Sequence, residues 1–196
     1  DLTPSLIRHA KKNAEILGLN TEFLESDVEA LPYENDSFDI VLSQFGHMFA
    51  PQPSVAIAEM LRVLKSGGKL VFATWPPELF MGSLFRITSS YAPPSPIQIE
   101  PPTLWGNVDI VKARLGPSVT SLTFDRDRLL MPGLSVPHLR KIFETGAGPL
   151  KNIISELSFE PEKLTQLRSD IDDAIEVYYE NNRLRMDYLM TSAIKF

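Results

Sequence analysis

Asp1 and Asp27 carry the chemistry that is most readily read from residue type and place. An ionised carboxylate accepts two hydrogen bonds at once, which suits a vicinal diol, and charge-assisted bonds are the stronger kind. Asp1 stands just ahead of a helix start, where the helix dipole also favours an acid. Asp27 ends the acidic stretch Glu25-Ser26-Asp27, which could equally be a solvated turn. His47 is the only ionisable side chain in the tract Ser43-Gln44-Phe45-Gly46-His47-Met48-Phe49. Histidine titrates near neutral pH, so it could take a proton from an oxygen or nitrogen acceptor. A lone His in an apolar tract is more often structural, and both readings stand. His9 and His138 read as surface residues. No Cys is present, which excludes cysteine catalysis, a Cys-ligated zinc site and a disulfide scaffold.

Elements must hold these groups in place. Thr3 and Pro4 open a helix as N-cap and first helical residue. Leu6, Ile7, Ala10, Ala14 and Leu17 mark its apolar stripe, and Gly18 ends it. Thr21 to Leu24 is a short strand candidate. Asn35-Asp36-Ser37 signals a turn, and Phe38 to Leu42 reads as a buried strand because its apolar run is nearly continuous. Pro51 and Pro53 precede a second helix with Ile57, Met60, Leu61 and Leu64 inward. Gly67-Gly68 closes that helix, and Lys69 to Trp75 is a third strand. Alternating strands and helices with short loops predict a parallel sheet covered by helices. A crossover helix needs a strand on each side, so the first helix implies another strand before Asp1.

After Pro76 the pattern changes. Pro93, Pro94, Pro96, Pro101 and Pro102 predict a stiff, extended excursion with little regular structure, as a linker or a substrate lid. Val119 to Leu130 reads as a strand, followed by helices over Pro137 to Thr145, Leu150 to Glu156 and Pro161 to Tyr179. Leu164, Leu167, Ile171, Ala174 and Tyr178 share one face of the last helix. Leu184 to Phe196 alternates as a closing strand. The chain of 196 residues fits one domain, divided as 1–75, 76–118 and 119–196. A net charge of -6 disfavours broad binding to nucleic acid. No apolar run spans a bilayer, and no signal peptide is recognisable, so a cytoplasmic globular protein is expected. No metal site is expected, and a homodimer is an open alternative to a monomer.

Four motifs in series then resemble the class I S-adenosylmethionine-dependent methyltransferases. They are Asp1-Leu2-Thr3-Pro4, Ser26 to Tyr33, Ser37 to Val41, and Arg62-Val63-Leu64-Lys65-Ser66-Gly67-Gly68, which is similar to an RVLKPGG motif. Ser43 to Phe49 resembles a QFGxMFF pattern from one branch of small-molecule methyltransferases. The resemblance implies a Rossmann-like α/β fold: a mostly parallel sheet with an antiparallel last strand and helices on both faces. It implies that Asp1 and Leu2 meet the cofactor's ribose, that Asp27 and Val28 meet its adenine, and that Ser43 and Gln44 line its methionine part. Phe45, Met48 and Phe49 could enclose the sulfonium methyl, although core packing is the weightier reading. The family's GxGxG loop after its first strand has no counterpart here, so the resemblance implies an N-terminal truncation. The implied function is methyl transfer from S-adenosylmethionine to a small molecule, with residues from Pro77 to Trp105 choosing the acceptor. A non-catalytic binding protein of the same fold and a Rossmann-type oxidoreductase are the rival readings.

Overall fold

The structure is a computed structural model that describes residues 1–93 and 99–196. Pro94 and Pro96 of the predicted excursion lie outside the described residues. The chain divides into two compact units. The first holds Asp1–Ala73, Asp109–Thr123 and Thr191–Phe196; the second holds Thr74–Val108 and Phe124–Met190.

In the first unit, α1 (Pro4–Leu17) ends on Gly18, whose φ of 65° suits a residue without a side chain. Of the predicted stripe only Ala14 is fully buried, while Leu6 and Leu17 face solvent. Thr21 to Leu24 forms no strand, contrary to expectation. The segment is nevertheless tied to the chain start: the Asp1 N–H donates to Leu24 O at 3.4 Å, and the Ser26 N–H donates to Asp1 O at 3.2 Å. One residue bonding to two others that flank a third is the pattern of a parallel ladder. Asp1 therefore lies beside Glu25, with the two chain segments running the same way.

β1 (Phe38–Gln44) pairs in parallel with β2 (Leu64–Thr74), and α2 (Pro53–Val63) connects them. Pro53 supplies the fixed φ favoured at a helix start. Met60, Leu61, Ala56 and Ile57 form the buried face. The second helix ends earlier than expected, because Leu64 is already paired with Phe38. Gly67-Gly68 does not cap the helix but lies inside β2, where the register jumps from Phe38↔Leu64 to Ile40↔Lys69. That jump accommodates a bulge. Gly67 has φ 74°, and a Cβ on Gly68 would fall 2.8 Å from Lys65 O and 3.0 Å from Asp39 O. Lys195 closes this corner, donating to Leu64 O at 2.6 Å and to Asp36 Oδ1 at 2.8 Å. β1 is not buried on both sides: Ile40 and Leu42 are exposed.

The sheet has the order β1-β2-β5-β3, with β3 covering Val119–Pro132 and β5 covering Arg183–Lys195. α4 (Val108–Leu115) leads into β3, burying Val111 and Leu115. Asp125, Arg126, Asp127 and Arg128 are all exposed on β3, the last strand of this order among the described residues.

In the second unit α3 (Phe80–Tyr91) precedes the proline-rich stretch, between Pro76 and Pro93, where no helix was expected. Gly82 and the serines lower its helix propensity, yet packing of Phe80 and Leu84 overrides that preference. α5 (Val136–Gly146), α6 (Gly148–Glu156) and α7 (Pro161–Glu176) follow near the predicted positions. α7 buries Leu167, Ile171 and Ile175, a cleaner i, i+4, i+8 stripe than the one read from sequence. Tyr91 donates to Asp170 at 2.7 Å and Arg168 donates to the buried Glu144 at 2.9 Å, fixing α3 and α5 on α7. β4 (Tyr179–Glu180) turns into β5 through Asn181 and Asn182, both at positive φ. Two consecutive left-handed residues make the turn whose twist matches an antiparallel hairpin.

Candidate cofactor site

The predicted cofactor residues all fall in the first unit. Asp1 is exposed, and its Oδ1 accepts the Thr3 N–H at 2.8 Å, steering the chain into α1. Asp27 is half-buried, and its Oδ1 accepts the Glu29 N–H at 2.9 Å. The two acids thus make the same local turn, in which a carboxylate bonds the backbone two residues on. In each, Oδ2 has no hydrogen-bond partner among the described residues. Because Asp1 is bonded alongside Leu24 and Ser26, the acids stand at the ends of two neighbouring extended segments. A free carboxylate oxygen on each is the donor-seeking chemistry that a ribose diol and an adenine amine would satisfy. Leu2 is exposed beside Asp1, and Val28 is half-buried beside Asp27.

Ser43 and Gln44 end β1, with Ser43 half-buried and Gln44 exposed. The next residue, Phe45, has φ 59° while its N–H donates to Ala73 O at 3.0 Å. A bulky residue in left-handed conformation is unusual, and such strain gathers at functional sites. No sequence signal marks it. The Ser43 hydroxyl accepts the His47 N–H at 3.2 Å and lies 2.9 Å from His47 Nδ1. Met48 is buried in the core, as the packing reading expects, whereas Phe49 is exposed.

His47 is 2% exposed and packs against Phe72 with ring centroids 4.6 Å apart. Burial, and to a lesser extent the charge of Arg114, pushes its pKa from 6.5 down to about 3. An imidazole held neutral this firmly is a weak base, and its burial keeps it from an acceptor. Burial and the lowered pKa favour the structural reading of His47 over the catalytic one. An unfolded chain binds a proton here below pH 6.5 that the folded chain refuses until about pH 3. Stability consequently rises with pH across that window and falls as the solution is acidified. His47→Asn is expected to flatten this part of a melting-temperature profile against pH, and any loss of turnover should be independent of pH. A turnover loss that titrates near neutrality would instead restore His47 as a base.

The loop carrying Asp27 is tied to both ends of α2. Glu29 accepts the Gln52 N–H at 2.6 Å and its side-chain Nε2 at 3.0 Å. At the other end, Glu59 accepts the Leu31 N–H at 2.9 Å, and Arg62 reaches the same loop. Sequence reading named Arg62 within a motif without giving it a task, and Glu59 was missed. Their i, i+3 spacing on a helix was the available signal. The groove lined by Lys11, Ala14, Glu15, Leu19, Thr21 and Phe23 includes none of the candidate cofactor residues. Among the described residues no cluster of His, Cys, Asp and Glu could hold a metal.

A parallel β-α-β unit is the frame in which open α/β sheets place ligands at strand ends. Residues 1–72 match the methyltransferase domain. The chain is 32% identical over all 196 residues to the uncharacterized protein Rv1403c of Mycobacterium tuberculosis, spanning 72% of that protein. It is 39% identical over 77 residues to the demethylmenaquinone methyltransferase of Thermus thermophilus, covering 39% of this chain and 35% of the enzyme. The fold matches the YcgJ protein of Bacillus subtilis with a TM-score of 0.63 at 20% identity, over 100% of this chain and 80% of that one. The chain belongs to the class I S-adenosylmethionine-dependent methyltransferases. Its fold is the Rossmann-like fold of that class, and S-adenosylmethionine is its cofactor.

Proposed function

We propose that this methyltransferase acts on a small-molecule acceptor and holds its cofactor through Asp1 and Leu2 at the ribose, Asp27 and Val28 at the adenine, and Ser43 and Gln44 at the methionine part. The observation that carries the reading is the pair of carboxylates, each with one oxygen engaged in shaping its own turn and one left for a ligand. When bound, the cofactor supplies an electrophilic methyl on a sulfonium. What the chain adds is orientation of the two reactants and exclusion of competing geometries. His47 serves this by holding Ser43 and packing on Phe72, and an acceptor that is already nucleophilic needs no base from it.

A net charge of -6 supports a small molecule over nucleic acid, because a polyanion would have to approach an acidic surface. No helix among the described residues is long and apolar enough to cross a membrane, which accords with a cytoplasmic site of action. The stretch from Pro77 to Trp105 selects the acceptor in this reading, and Ser43 to Phe49 places the chain in the QFGxMFF branch. The test is transfer of a labelled methyl group to fractionated cell extract. Label should enter the low-molecular-mass fraction, and label entering only protein or nucleic acid would overturn the acceptor class. Exchanging 77–105 with a relative's segment should change which small molecule is labelled and leave cofactor affinity alone. A collapse of cofactor affinity with no change of acceptor would make the segment structural.

A further inference from the structure

Arg62 spends three of its five guanidinium donors on one loop and two on Glu59 of its own helix. Its Nε and Nη2 donate to the two carboxylate oxygens of Glu59 at 2.6 and 2.8 Å. The other Nη2 bond goes to Leu31 O at 2.9 Å, and Nη1 donates to Tyr33 O at 2.7 Å and Asn35 Oδ1 at 3.0 Å. All five N–H donors of the fork are used. Glu59 in turn accepts the Leu31 N–H at 2.9 Å, so the two side chains hold that residue by both its backbone N–H and its carbonyl. The backbone of the same helix end contributes too, as Arg62 O accepts from the Asp36 N–H at 3.0 Å.

A partly exposed ion pair alone adds little stability, so the three guanidinium bonds to the loop need a different account. The loop's near end is clipped by Glu29 to Gln52, and Asp27 bonds the N–H of that same Glu29. Immobilising the loop from both ends of α2 leaves Asp27 and Val28 few conformations to lose when a ligand arrives. We infer that Arg62 and Glu59 are positioning residues that pre-set the Asp27-Val28 edge for the cofactor's adenine. The inference rests on the proposed role of Asp27. Lysine cannot replace the fork, since its ammonium has three donors on a flexible stem and no planar geometry.

The experiment is calorimetric titration of the whole protein with S-adenosylhomocysteine, for Arg62→Lys, Glu59→Gln, Asp27→Ala and the Arg62→Lys/Asp27→Ala double variant. Arg62→Lys should weaken binding by about tenfold, the lower range for loosening a group that orients a ligand-binding residue, and Glu59→Gln should weaken it less. The decisive reading is the double variant. If Arg62 acts through Asp27, the two losses do not add, because there is nothing left to position. Additive losses, or unchanged affinity in Arg62→Lys with Asp27→Ala still weakened, would overturn the inference and leave Asp27 in the site. Unchanged affinity in Asp27→Ala would overturn the site reading itself, and the inference with it.

Discussion

Asp27→Ala is expected to weaken S-adenosylhomocysteine binding by roughly 10- to 100-fold, the equivalent of about 1.5–3 kcal/mol for hydrogen bonds to a charged group. Two losses combine in this variant. The ligand loses the acceptor oxygen that the turn leaves free, and the loop loses the bond from Oδ1 to the Glu29 N–H that shapes it. Asp27→Asn separates them, because an amide oxygen can still accept from the backbone while the charge is gone. It should fall between the wild type and Ala. Asp1→Ala is expected to behave similarly, with the Thr3 N–H losing its partner at the start of α1. Titration calorimetry reads both, and unchanged affinity in either variant would remove that acid from the site.

Gly106→Ala should cost about 3 kcal/mol or more of stability, at or beyond the upper range for overpacking a filled interior. Gly106 ends the short 3-10 turn Pro102–Gly106, whose Trp105 is buried and whose carbonyl accepts from Thr74 Oγ1 at 2.9 Å. An added Cβ would lie 2.4 Å from Trp75 O and 2.4 Å from the Pro76 Cα. Both obstacles are backbone, and Pro76 has a fixed φ, so neither can swing aside as a side-chain tip would. The turn would have to lift off the residues that follow β2. Gly116→Ala is the control, since its Cβ would meet nothing within 4 Å; it should change stability by no more than about 0.5 kcal/mol. Equal urea midpoints for the two variants would show that the close approach at Gly106 is not maintained in solution.

Legibility in the sequence followed the range of the interaction that decides each feature. β1, α2 and the hairpin strand β5 were readable because turn residues, prolines and side-chain periodicity act within a few positions. The strand expected at Thr21 to Leu24 has the right residues, but a strand exists through its partners, and among the described residues only Asp1 is seen to bond to its backbone. Ile40 and Leu42 have the composition of a buried strand and are exposed, since burial depends on what packs against the face. α3 was missed for the opposite reason: its propensity is poor and its packing is good. Within the site, carboxylates announce themselves by type, whereas the left-handed Phe45 and the loop contacts of Arg62 depend on residues 27 to 31 positions away in the chain.

The four exposed charges of β3 have a consequence for how the molecule meets its own copies. When two strands run antiparallel in one sheet, directly opposed side chains share a face, and the face alternates at every residue. Two identical edges related by a twofold axis through the sheet therefore oppose odd-numbered residues to odd and even to even. Along β3 the odd positions are Asp125 and Asp127, and the even positions are Arg126 and Arg128. The registers that centre this stretch set Asp against Asp and Arg against Arg, which is destabilising. The Arg128 N–H is moreover already taken by Asp127 Oδ1 at 2.8 Å, removing one donor that a templated strand would use. An edge strand invites fibrillar stacking unless something forbids it, and here the prohibition is written as parity.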